Sequence, residues 1–199
     1  MNLLSLLSRR ALVASLLVSS AWSFSATAQS APQVKFQTSQ GEFVVELYPE
    51  KAPKTVENFL QYVKDKHYDG TIFHRVISNF MIQGGGYDAK YAERKTRPPV
   101  QHEGRESLSK GGPRNTTGTL AMARTNDPQS ATAQFFINVQ DNGFLDPSAQ
   151  QYGYTVFGKV VSGLDVVMKI KTSPTGSGGP FPGDVPSTPI VINSATLVK

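Results

Sequence analysis

Apolar and polar positions alternate over Val34-Lys35-Phe36-Gln37-Thr38, the pattern of a half-buried strand. Ser39-Gln40-Gly41 supplies turn residues. Glu42 to Tyr48 then returns with Phe43, Val45 and Leu47 on one face, which predicts a β-hairpin. Pro49 ends that strand, because it has no ladder donor. Pro53 opens a helix in its first turn. Val56, Phe59, Leu60 and Val63 fall at i, i+3, i+4 and i+7 and give that helix one apolar stripe. Two short apolar runs follow, Phe73 to Ile77 and Phe80 to Gln83, split by the turn pair Ser78-Asn79 and ended by Gly84-Gly85-Gly86.

Further strands are predicted at Thr119 to Ala123, Phe135 to Val139, Thr155 to Val161 and Ile190 to Val198. Ile190, Ile192 and Leu197 of the last are core candidates. Gly163 precedes a second helix, with Leu164, Val167, Met168 and Lys171 at helical spacing. Residues 87–117 read as a long polar loop with a short strand near Val100, and residues 172–189 as a Gly- and Pro-dense loop. Short β segments dominate, the two helices stand far apart, and no βαβ rhythm or internal repeat occurs. The chain is therefore mainly β. Closing the sheet on itself would remove its exposed edges, with a helix over each opening.

Composition adds a leader. Arg9-Arg10 gives a positive n-region, Ala11 to Phe24 an apolar h-region, and Ala26-Thr27-Ala28 a small-x-small cleavage site. The apolar run is short for a bilayer span. Residues 1–28 are expected to be a cleaved signal peptide and 29–199 the folded domain, exported to the periplasm. The Arg pair leaves general secretory and twin-arginine export both open. Of 20 basic residues the leader removes two, leaving 18 against 15 acidic, a net of +3. So small a balance, without a clustered basic face, gives no reason to expect a nucleic-acid partner. No membrane contact is expected once the leader is gone. Cysteine is absent, so neither a disulfide framework nor thiol chemistry is available.

The chemistry centres on Phe73-His74-Arg75-Val76-Ile77-Ser78-Asn79-Phe80-Met81-Ile82-Gln83, where one cation sits among aromatic and aliphatic side chains. A guanidinium keeps its proton, so Arg75 supplies a fixed charge and fixed donors, not acid–base work. Spacing alone also fits an edge strand with a solvated Arg. His74 alternates with Arg75 and should face the other way, as a structural histidine. A Ser-His-Asp triad lacks its nucleophile and orienter. Gly84-Gly85-Gly86 lacks the Lys-Ser/Thr of a phosphate loop. His102-Glu103 lacks two further ligands, so no metal and no cofactor are expected. What remains is a donor-bearing apolar pocket without a base, suited to a reaction that transfers no proton.

FHRVISNFMIQGG (73–85), GTLAMAR (118–124), QFFI (134–137) and VFGKV (156–160) resemble the cyclophilin family of peptidyl-prolyl isomerases, over about Val34 to Val198. The resemblance implies a closed eight-stranded antiparallel β-barrel capped by two α-helices. It implies that Arg75 is the key catalytic residue, acting with Phe80 and Gln83, and that Gln83 holds a substrate carbonyl and helps orient Arg75. Met81, Phe136 and Leu145 would join Phe80 around the substrate proline. Gln134 would lie near the substrate backbone, and Ala123, Arg124 and Thr125 would pair with its main chain. Family members often carry Asn where Arg124 stands. Many carry Trp at Phe144 and His at Tyr154. The lone Trp22 lies in the leader, so a donor to cyclosporin is missing and weak inhibition is expected. Implied partners are proline-containing polypeptides, in particular unfolded or partly folded exported proteins, handled by a monomer. A proline-peptide binding module or holdase with little turnover is the alternative. A carbohydrate-binding β domain would want exposed aromatics with paired carboxylates, which are not found.

Overall fold

The structure, a computed structural model, describes residues 30–198. The expected leader lies outside the described residues. Eight strands close into an antiparallel barrel in the order β1 (Gln33–Thr38), β10 (Val191–Leu197), β3 (Thr71–Ile77), β4 (Met81–Asp88), β6 (Phe135–Asn138), β5 (Thr119–Met122), β7 (Val156–Ser162) and β2 (Gly41–Leu47). β2 pairs with β1 again and seals the ring. Inward positions alternate along the first hairpin: Val34, Phe36, Phe43, Val45 and Leu47 are all buried. An aromatic cluster fills the lumen, with Phe36 stacked on Phe43 at 4.9 Å and Phe59 edge-on to Phe135. Such pairs add about 0.5–1.5 kcal/mol each beyond the area they bury.

Two helices close the ends. α1 (Pro53–Lys64) buries Val56, Phe59 and Val63, with Leu60 only partly covered. It sits where β2 finishes, beside Pro32, Pro49 and Leu197. α3 (Leu164–Lys171) sits where β2 begins: a Cβ added at Gly41 would meet Val166 at 2.9 Å. The helices therefore cover opposite openings, as expected. On α3 the buried residues are Val167 and Ile170, while Leu164 is exposed.

The structure corrects the reading in four places. The run Gly84-Gly85-Gly86 does not end β4, which continues to Asp88. Glycine is needed there for closeness, since a Cβ at Gly86 would lie 2.5 Å from the Gln134 amide, and at Gly85 for a φ of +86°. The 87–117 stretch has no strand at Val100, whose N–H donates to the Ala131 carbonyl at 2.8 Å. It carries instead a short helix, α2 (Gly104–Ser109). The 172–189 stretch is not all loop: β8 (Thr175–Gly178) and β9 (Phe181–Pro186) form a separate two-stranded hairpin packed on β3. Finally, Leu197 is 56% exposed, and Ala195 takes the buried place in β10. Leu197 instead lines an apolar groove between α1 and β10.

Candidate active site

Arg75 leaves β3 next to an irregularity. Phe73 pairs with Gly84 and Arg75 with Gln83, so His74 is an extra residue between two ladder pairs. A bulge of this kind re-aims side chains. It overturns the expectation that His74 and Arg75 avoid one another: both line a cleft of about 620 Å³ between the β3–β4 ladder and the β8–β9 hairpin. His74 is nevertheless structural. It is buried, stacks on Phe181 at 5.3 Å and meets Tyr87 edge-on at 4.9 Å. Its Nδ1 has no hydrogen-bond partner. Burial lowers its pKa to about 4, with only a partial counter from the Ile72 backbone, so the ring is neutral at pH 7.

Beside this cleft lies a smaller pocket of about 110 Å³, lined by Phe80, Met81, Phe136, Leu145 and Tyr154, with Arg75, Gln83, Ala123 and Arg124 around them. That volume is the space of roughly four waters, the scale of one small ring. Met81 and Phe136 reach it from β4 and β6, which pair Gln83 with Phe136 directly. Phe136 meets Tyr154 edge-on at 5.4 Å. Phe144 forms the lip: it is 65% exposed and stacks on Phe80 at 5.6 Å. Thr125 and Gln134 do not line this pocket but a neighbouring cleft of about 360 Å³. The larger groove beside α1 contains none of these groups and lies away from Arg75.

The polar groups are arranged differently from expectation in one respect. The Gln83 side-chain amide donates to the Gln134 side-chain oxygen at 3.0 Å and has no hydrogen bond to Arg75. The partner of Arg75 is Asp184 of β9, whose Oδ2 lies 3.5 Å from Nε. That contact was illegible in sequence, because 109 residues separate the two and nothing marked 175–186 as a hairpin. Asp184 holds φ +64°, which only Gly, Asn and Asp tolerate readily. Phe181, packed on His74 and Tyr87, fixes the hairpin there.

Arg124 is pinned. Its Nε and Nη2 donate to the Gly153 carbonyl at 3.1 and 2.9 Å, its Nη1 to the Thr125 carbonyl at 2.7 Å, and its Cζ stands 4.6 Å over the Tyr154 ring. Gly153 is required there: φ is +63°, and a Cβ would sit 2.4 Å from the Pro147 nitrogen.

Buried amides underlie the pocket. Asn142 Nδ2 donates to the Phe80 carbonyl at 2.8 Å and to Asn138 Oδ1 at 2.7 Å. Asn138 Nδ2 donates to Thr119 Oγ1 and Asn115 Oδ1. Asn115 in turn donates through N and Nδ2 to Asp146 Oδ1 at 2.8 and 3.0 Å. The His102-Glu103 pair serves packing. Buried Glu103 accepts from Lys54 N, Thr55 N and Thr55 Oγ1 at 3.1, 2.8 and 2.6 Å, satisfying first-turn donors of α1. His102 Nε2 lies 3.2 Å from the Gly153 carbonyl. Among the described residues no cluster of His, Cys, Asp and Glu is placed to hold a metal.

The site is thus a one-ring apolar pocket in the wall of a closed β-barrel, with a permanent cation at its mouth. The family described as cyclophilin type peptidyl-prolyl cis-trans isomerase/CLD matches residues 33–197. The chain belongs to this family, and it is an enzyme of the peptidyl-prolyl cis-trans isomerase class. It is 54% identical over 168 residues to peptidyl-prolyl cis-trans isomerase cyp18 of Streptomyces antibioticus, covering 83% of this chain and 98% of the relative. It is 46% identical to peptidyl-prolyl cis-trans isomerase A of Dickeya dadantii, covering 97% and 100%. The Escherichia coli isomerase B is 49% identical over 167 residues, covering 82% and 98%. A crystal structure of a Cryptosporidium parvum cyclophilin type isomerase shares the fold at TM-score 0.65 and 23% identity, covering 85% of this chain and 98% of that one. A second structure of it was determined in the presence of the dipeptide Ala-Pro, at TM-score 0.63 and 24% identity, covering 84% and 99%.

Proposed function

We propose that this isomerase acts on X–Pro bonds of exported polypeptides in the periplasm and assists their folding, with Arg75 stabilising the twisted amide. The peptide C–N bond resists rotation by about 18–20 kcal/mol through resonance. At the twisted state the proline nitrogen turns pyramidal and gains a lone pair. A guanidinium aimed at that nitrogen favours the twist over the planar ground state, and only such differential binding lowers a barrier. A thousandfold acceleration needs roughly 4 kcal/mol, within reach of one charge-assisted donor in an apolar site. Phe80, Met81 and Phe136 would hold the ring, Leu145 and Tyr154 its edge, and Gln83 a substrate carbonyl.

The observation that carries this reading is Arg75 at the mouth of the 110 Å³ pocket. The histidine that lines the adjoining cleft, His74, is buried and neutral at pH 7, which argues against a charge relay there. That a Cryptosporidium relative of the fold was crystallised in the presence of Ala-Pro is in keeping with a proline-peptide ligand. Export rests on the leader composition, Arg9-Arg10 and the apolar run behind it. The test is Arg75→Ala in a protease-coupled assay on a short X–Pro peptide. We expect turnover to fall at least a hundredfold while peptide affinity by calorimetry survives. Turnover near wild type would remove Arg75 from the mechanism, and a wild-type chain that binds but does not turn over would favour the binding module. Mass spectrometry of the periplasmic fraction should find Gln29 as the mature N-terminus; an unprocessed chain in the cytosol would overturn the location.

A further inference from the structure

Two cations border the proline pocket, and only one of them is balanced. Arg75 has the Asp184 carboxylate 3.5 Å from its Nε. Arg124 has neutral partners alone, the Gly153 and Thr125 carbonyls and the Tyr154 ring face. It forms no ion pair among the described residues. Glu93 lines the neighbouring 360 Å³ cleft without pairing with it.

Position makes that imbalance matter. Arg124 lines the proline pocket and both clefts that adjoin it, so a chain entering or leaving the pocket passes its guanidinium. Its contacts hold it in one place, which spares the ordering entropy that weakens most surface ion pairs. The three hydrogen bonds occupy Nε and one N–H on each terminal nitrogen, leaving two N–H groups for a ligand. Planar forked donors of this kind suit a carboxylate.

We propose that Arg124 makes this enzyme selective for prolines immediately flanked by Asp or Glu. The proposal rests on the isomerase reading of the same pocket. A side-chain carboxylate beside the bound proline completes the charge balance that the protein leaves open. A lysine in that place meets a fixed like charge.

The experiment measures kcat/KM on two peptide sets, Ala-Xaa-Pro-Phe and Ala-Ala-Pro-Xaa-Phe, with Xaa as Glu, Ala or Lys. Proline isomerisation is followed by NMR exchange so that protease preference does not enter. For wild type at low salt, Glu should exceed Lys by about two- to fivefold in at least one set, the range for a partly exposed ion pair. The ratio should shrink towards one in 1 M salt, where the screening length is about 3 Å. Arg124→Gln should remove the preference, and Arg124→Lys should retain part of it. The Glu-to-Lys ratio is internal to each variant, so a general loss of activity does not confuse it. Equal rates for the three residues in both sets, or a preference that survives in Arg124→Gln, would overturn the proposal. Absence of turnover on the Ala peptides would instead sink the isomerase reading itself.

Discussion

Glu103 offers the sharpest test of how the barrel is held together. Its carboxylate is 3% exposed and accepts three hydrogen bonds, two from backbone N–H groups of α1 and one from Thr55 Oγ1. α1 has Ala52 at its N-cap and no side-chain cap of its own, so this distant residue satisfies donors that the helix cannot. Hydrogen bonds to a charged group contribute about 1.5–3 kcal/mol each, and a buried donor left unpaired costs about 1–3 kcal/mol. Glu103→Ala strands three donors; with non-additivity and some solvent entry we expect a loss of about 3–5 kcal/mol. Glu103→Gln keeps one oxygen for the Thr55 donors but turns an NH₂ towards Lys54 N, and should lose about 1–3 kcal/mol. Urea unfolding at pH 7, read by circular dichroism, would measure both. A domain of this size shifts its Tm by about 2–4 °C per kcal/mol, so Glu103→Ala should melt roughly 6–20 °C lower. Amide exchange at Lys54 and Thr55 should accelerate in the same variant. A Glu103→Ala midpoint matching wild type, with those amides still protected, would show that the helix terminus does not depend on this carboxylate.

Asp184→Asn removes the partner of Arg75. The pair is about half exposed on both sides, so stability should barely change, while kcat/KM should fall up to about fivefold as the guanidinium loses its tether; unchanged activity would leave Asp184 a bystander. His74 gives a pH signature. Its pKa falls from 6.5 to about 4 on folding, so below pH 6.5 the unfolded chain takes up a proton that the folded chain refuses, and stability drops as pH falls to 4, by up to about 3 kcal/mol. His74→Phe should flatten that slope in urea titrations between pH 7 and 4.5, and an unaltered slope would shift the cause to other groups. Phe144→Trp restores an indole donor at an exposed lip and should tighten cyclosporin binding about fivefold, the worth of one hydrogen bond; equal affinity by calorimetry would refute the missing-donor argument.

Local periodicity made the first hairpin and α1 readable, because each has one wet face and one dry face. Phe80, Met81, Phe136 and Leu145 line one pocket, and only their motifs, not any periodicity, grouped them beforehand. What stayed illegible depends on distance along the chain or on broken alternation. The bulge at His74 is invisible to a period-two count, so His74 and Arg75 share a cleft that alternation denied them. Leu197 fits the inward pattern, yet it stands at the rim of β10, where the barrel no longer covers it. The β8–β9 hairpin is rich in Gly and Pro and has no clear alternation, and it is held by Phe181 seated on His74, a partner more than a hundred residues away. Asp184 and Glu103 carry no local mark either; each acts only through the tertiary contact it makes.

The amides beneath Phe80 and the exposed ring of Phe144 have separate supports. Asn142 clamps the main chain of Phe80 from inside, whereas the Phe144 ring lies on Phe80 from outside and its carbonyl accepts from Gln151 Nε2 at 2.8 Å. Mutation at the outer ring should therefore alter the lip while leaving the hold of Asn142 on the Phe80 main chain in place. Two descendants of this sequence could therefore differ widely at the lip and still share one floor.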